Sequence, residues 1–85
     1  MEKRYLSLES SIINYAMAKH ASEDIAKQLV ADPMLVAWYD GIKKEEHPQI
    51  PECHPHEPGW LAYAKGHGGK VLVDVNQGTY IFIYT

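Results

Sequence analysis

The segment from Lys70 to Tyr84 constrains the fold more than any other part of the sequence. Val71 to Val75 and Thr79 to Tyr84 are dense in β-branched and aromatic residues. Between them, Asn76-Gln77-Gly78 has the chemistry of a three-residue turn with glycine in the left-handed position. A β-hairpin is expected. Pairing outward from that turn sets Val75 against Thr79, Val73 against Ile81 and Val71 against Ile83, which gathers these six side chains on one core-facing side. The other side then carries Leu72, Tyr80, Phe82 and Tyr84 with Lys70 and Asp74. Aromatic residues mixed with two charges suit an interface with a protein partner or a second copy of the chain, or else a second core beneath a helix.

Upstream, Leu8, Ile12, Ile13, Ala16 and Met17 recur at helical spacing and predict a helix over about Ser7 to His20. Ile25, Leu29 and Val30 form a second stripe roughly 120° round from the first. Ser22, followed by Glu23 and Asp24, reads as an N-cap with acidic first-turn residues. Two helices are therefore expected, with one bent helix as the alternative. Asp32-Pro33 ends the helical region, and Met34 to Tyr39 reads as a strand closed by Asp40-Gly41. Ile42 to Gly59 holds four of the five prolines and reads as a long loop, the natural place for a site. Trp60 to Lys65 then forms one or two helical turns ended by Gly66. The expected fold class is α+β: two N-terminal helices, or one bent helix, on a small antiparallel sheet with a C-terminal hairpin. The 85 residues fit one small domain, with a His/Pro-rich loop at 42–59.

Gly59-Trp60-Leu61-Ala62-Tyr63, Gly66-His67-Gly68-Gly69, Val73-Asp74-Val75-Asn76 and Tyr80-Ile81-Phe82-Ile83-Tyr84 together resemble a group of short prokaryotic proteins of unknown function. The resemblance covers the C-terminal third, implies a cytoplasmic location and implies no catalytic residue.

A formal charge of −3 argues against nonspecific binding to nucleic acid or to an anionic membrane. The one adjacent basic pair beyond the start, Lys43-Lys44, is neutralised at once by Glu45-Glu46. No apolar run approaches a membrane span, and Leu6 to Ala18 is too polar for an export signal. Cys53 is the only cysteine, so no intrachain disulfide forms. A cytoplasmic protein is the expectation.

His47, His54, His56 and His67 fall within 21 residues. Imidazole is a usual ligand of zinc-like divalent metals, so these four are candidate metal ligands, with Asp74 or Glu57 as possible oxygen donors. Against a metal stand the absence of any Cys-x-x-Cys pair and a spacing that matches no zinc finger. Cys53 beside His54 is a candidate activated thiolate, but Glu52 and Glu57 oppose that ionisation. Gly66-His67-Gly68-Gly69 follows a helix and opens a strand, the reverse of a phosphate-binding loop. Pro48-Gln49-Ile50-Pro51 and Pro55-His56-Glu57-Pro58 match PxxP, a short pattern common by chance. No Ser-His-Asp order, carboxylate pair or cofactor fingerprint stands out. The sequence therefore favours a noncatalytic binding or assembly module using the aromatic hairpin face. A metal-binding protein or metal-dependent enzyme using the loop is the alternative.

Overall fold

The hairpin forms, and it lies at the centre of the sheet rather than at its edge. The computed structural model describes residues 1–9, 13–50 and 57–85. Along them run β1 (Glu2–Leu6), α1 (Tyr15–Leu29), β2 (Leu35–Asp40), β3 (Glu45–His47), α2 (Gly59–Gly66), β4 (Val71–Val75) and β5 (Tyr80–Tyr84). The strands make one five-stranded sheet in the order β1-β4-β5-β2-β3. β1 runs parallel to β4, and the other neighbours are antiparallel. The fold is α+β with a mixed sheet. β1, α1 and β2 form a crossover that leaves two strand positions open, and β4–β5 fills them.

Central strands are buried on both faces, which explains why β4 and β5 are apolar on both sides. One face packs Val71, Val73, Val75, Tyr80, Phe82 and Tyr84 against Ala18 and Ala26 of α1. The other packs Leu72, Ile83 and Ala37 against Trp60 and Ala64 of α2.

The pairing differs from the expected one by a single residue. The turn takes four residues, because both the amide and the hydroxyl of Thr79 donate to the Asn76 carbonyl, at 3.3 and 2.8 Å, and hold Thr79 inside it. Asn76, Gln77 and Gly78 are all left-handed, with φ of 53°, 55° and 88°. Val75 therefore faces Tyr80, Val73 faces Phe82 and Val71 faces Tyr84. A shift of one turns every side chain of β5 to the opposite face. The large aromatic rings then lie beneath the small residues of α1, where there is room for them.

A single helix forms here, the alternative to the two expected, and it starts later than Ser7. Asn14 caps it, its Oδ1 accepting from the Met17 amide at 2.9 Å, so Ile13 lies outside the helix and the apparent change of phase disappears. The buried stripe is Ala18, Ser22 and Ala26, and Ser22, expected to start a second helix, lies in the middle of the first. Ala16 and Met17 point outward. β1 was not expected at all, since its first three residues are charged. The segment 42–59 also holds more structure than a loop. Asp40 Oδ1 accepts from the amides of Ile42 and Lys43 at 2.9 and 3.1 Å, tightening a turn that leads into β3.

Candidate functional site

The four residues expected to form an aromatic interface are all inside the molecule. Tyr80, Phe82 and Tyr84 lie under α1, while Leu72 faces α2 from the opposite side of the sheet. The register shift divides the set between two cores. Tyr15 bridges helix and sheet, its ring 5.1 Å from Trp38 and 5.4 Å from Phe82. Burial pushes the phenols of Tyr15, Tyr80 and Tyr84 above their ordinary value of 10.0. The Asp40 carboxylate adds to the effect at Tyr15 and Tyr80, and Glu23 and then Tyr15 add to it at Tyr84. These are structural tyrosines.

Of the histidine set, His54 and His56 lie outside the described residues, as does Cys53. His47 stacks on Trp38 with centroids 6.1 Å apart, on the α1 side of the sheet. His67 stacks on Tyr63 of α2 at 3.9 Å, and its Nδ1 lies 2.8 Å from the Tyr63 carbonyl. The two imidazoles are thus on opposite faces. Glu57 pairs with Lys65 at 2.6 Å, and Asp74 Oδ1 accepts from the Gly78 amide at 2.5 Å. Among the described residues, no three His, Cys, Asp or Glu side chains gather to hold a metal ion. Gly68, at φ 82°, turns the chain out of α2, and the Gly69 amide donates to the Ala64 carbonyl at 2.8 Å. That glycine run is a helix-ending turn.

Among the described residues, β1 presents an open sheet edge. In a parallel ladder each residue directs its N–H and C=O to the same side, alternating along the strand. The Glu2 amide donates to the Lys70 carbonyl and the Asn76 amide donates to the Leu6 carbonyl, both at 2.8 Å. Glu2, Arg4 and Leu6 therefore face β4, and Lys3 and Tyr5 direct their backbone groups outward from the sheet. Side chains alternate as well. Glu2, Arg4 and Leu6 share the α1 face with Val71, Val73 and Val75, and Lys3 and Tyr5 share the other with Leu72 and Asp74.

α2 packs on the β2 half of that second face, and among the described residues no element covers the β1 half. Tyr5 is 73% exposed there, beside half-buried Asp74 and Ile81, and Met1 is 44% exposed at the start of the strand. Arg4 Nη1 donates to Glu2 Oε2 within the strand. Both ends of β1 are fixed. Its start bonds to Lys70, and just past its end Asn76 grips the Leu8 backbone, Oδ1 accepting from the amide at 2.6 Å and Nδ2 donating to the carbonyl at 3.0 Å. The sequence reading missed Lys3 and Tyr5 as site residues. The available signal was Tyr5-Leu6 following three charged residues, the composition of an edge strand rather than of a buried one. At the opposite edge, β3 has three residues and is followed by Pro48, which has no amide to donate.

Among the described residues, no helix is long and apolar enough to cross a membrane. A family model described as a domain of unknown function, DUF5619, matches residues 1–84, so the similarity spans nearly the whole chain rather than its C-terminal third. The crystal structure of a novel protein from Archeoglobus fulgidus has the same fold, with a TM-score of 0.82 at 21% identity. The match covers 100% of this chain and 93% of that one. No curated protein shows a significant match.

Proposed function

From the premise that the chain belongs to the DUF5619 family, whose function is not established, we propose that it is a small binding or assembly module whose working surface is the β1 edge. The observation that carries this is the row of outward backbone groups at Lys3 and Tyr5, with Tyr5 itself 73% exposed. An extended segment of another protein adds to such an edge by main-chain hydrogen bonds, while side chains on alternate positions set its specificity. The exposed ring and the open half-sheet supply the apolar contact, and Arg4 favours a partner with an acidic residue at the matching position. Charged residues on an edge strand also discourage indiscriminate pairing, which restricts the partner without closing the edge.

Panning a displayed library of random heptapeptides against the chain, with the Lys3→Pro variant as the subtracting surface, tests this. Lys3→Pro removes one outward N–H and leaves the β1–β4 ladder its own donors. Peptides that bind the wild type at least about tenfold more tightly than the variant are the expected result. Peptides that bind both equally, or none at all from a monomeric chain, would overturn the proposal.

A further inference from the structure

We propose that the edge partner is a second copy of this chain, joined along β1 in antiparallel register about Lys3, so that two five-stranded sheets become one. The inference rests on the edge-binding reading above and names its partner. Residues facing one another across an antiparallel pair share a face, so a two-fold joint that continues the sheet must match even residues with even and odd with odd. Few registers satisfy that rule within Met1 to Leu6.

Centring on Lys3 sets Glu2 against Arg4 of the second copy twice, and Met1 against its Tyr5 twice. Centring on Arg4 sets two guanidiniums directly opposite one another, and centring on Glu2 opposes two carboxylates. Centring on Tyr5 pairs only Arg4 to Leu6 and sets no cation of the second copy across from Glu2. In the Lys3 register the single like-charge pair is outweighed by two Glu2–Arg4 pairs, and each Lys3 ammonium lies next to exposed Tyr5 rings, a favourable placement for a cation.

Two features single out this register, and the direction of the backbone groups fits it. Glu2 and Arg4 already meet within the strand, so exchanging partners between copies needs little movement of either side chain. The hydrogen-bonded pairs it demands, Lys3 with Lys3 and Met1 with Tyr5, are those whose backbone groups point outward. Its apolar pair joins Met1, 44% exposed, to Tyr5, 73% exposed, two large hydrophobic side chains that folding leaves in water.

Sedimentation equilibrium of the full chain, from about ten micromolar to about one millimolar at low salt, tests the inference. The expected result is a mass that rises towards twice that of the monomer. Arg4→Glu should weaken association at least about tenfold, and the exchanged pair Glu2→Arg with Arg4→Glu should restore it. Amide exchange measured on the wild-type chain needs no variant to fold. Lys3 and Tyr5 should become protected as concentration rises. A monomer at every concentration would overturn the inference, as would a dimer whose Lys3 and Tyr5 amides exchange freely. If the chain is monomeric while selected peptides still separate it from Lys3→Pro, the self-association fails and the edge-binding reading stands. If the peptides fail too, both fall.

Discussion

Replacing Asn76 measures how firmly the hairpin holds the chain that leaves β1. Two interactions would be lost in Asn76→Ala. Its amide side chain makes a two-way grip on Leu8, at 2.6 and 3.0 Å, and each such bond contributes about 0.5–1.5 kcal/mol net. Leu8 is half-buried, so water replaces part of that and the lower half of the range applies. The Asn76 backbone is left-handed at φ 53°, where an alanine costs about 1 kcal/mol more than an asparagine or glycine. The sum is about 2–3 kcal/mol. Asn76→Gly removes the grip and keeps the conformation, and should cost about 1–2 kcal/mol. Asn76→Asp keeps the acceptor and loses the donor, and should cost about 1 kcal/mol or less. Urea unfolding followed by circular dichroism ranks the three, with the midpoint moving and the slope unchanged. If Asn76→Gly were as costly as Asn76→Ala, backbone strain would be the wrong account. An Asn76→Ala chain within about 0.5 kcal/mol of the wild type would remove the grip as well.

Other positions make sharper single tests. The Ser22 hydroxyl is buried with no partner among the described residues, so Ser22→Ala should raise stability by about 1 kcal/mol in the same unfolding assay, and a loss would show that the hydroxyl is satisfied. At Gly41 a Cβ would meet the carbonyl oxygens of Gly78 and Thr79 at 2.9 and 3.0 Å, so Gly41→Ala should cost about 1–3 kcal/mol. Gly66→Ala meets nothing within 4 Å and should be neutral or stabilising by up to about 1 kcal/mol. The raised phenols of Tyr15, Tyr80 and Tyr84 ionise more readily in the unfolded chain. Their contribution is therefore complete below pH 10, and is lost as pH climbs from there through the folded values. Tyr84→Phe should move the alkaline unfolding midpoint to higher pH, and an unmoved midpoint would count against that burial effect. Because His47 and His67 stand on opposite faces, a zinc titration read by imidazole NMR should show two separate affinities. A single shared affinity would show that the two rings meet.

What the sequence made legible follows the physics of each element. β2 and α2 were readable because apolar runs bounded by Asp32-Pro33, Asp40-Gly41, Pro58-Gly59 and Gly66 leave few alternatives. The hairpin was readable as a hairpin, and its register was not. Whether Thr79 belongs to strand or turn depends on two hydrogen bonds to one carbonyl, which composition does not encode. α1 was misread because it buries Ala18, Ser22 and Ala26. A helix that packs closely through small residues has a weak apolar signal on the face that matters. β1 was hidden for the opposite reason, since an edge strand bonded on one side keeps its charges in water. The open surface was accordingly the least visible part of the fold.

The insertion of β4 and β5 between β1 and β2 also sets an order of assembly. β1 and β2 come early in the chain and share a crossover helix, yet they never pair with each other and enter one sheet only when the last two strands arrive between them. β1 finds its partner by closing a contact from Glu2 to Val71, among the most distant pairings that this chain allows. Local helix and hairpin formation runs well ahead of such distant pairings. A ribosome that has released only α2 therefore carries a chain whose first strand has nothing of its own to bind. The sheet is completed from the middle, and its earliest strand is the one that waits longest.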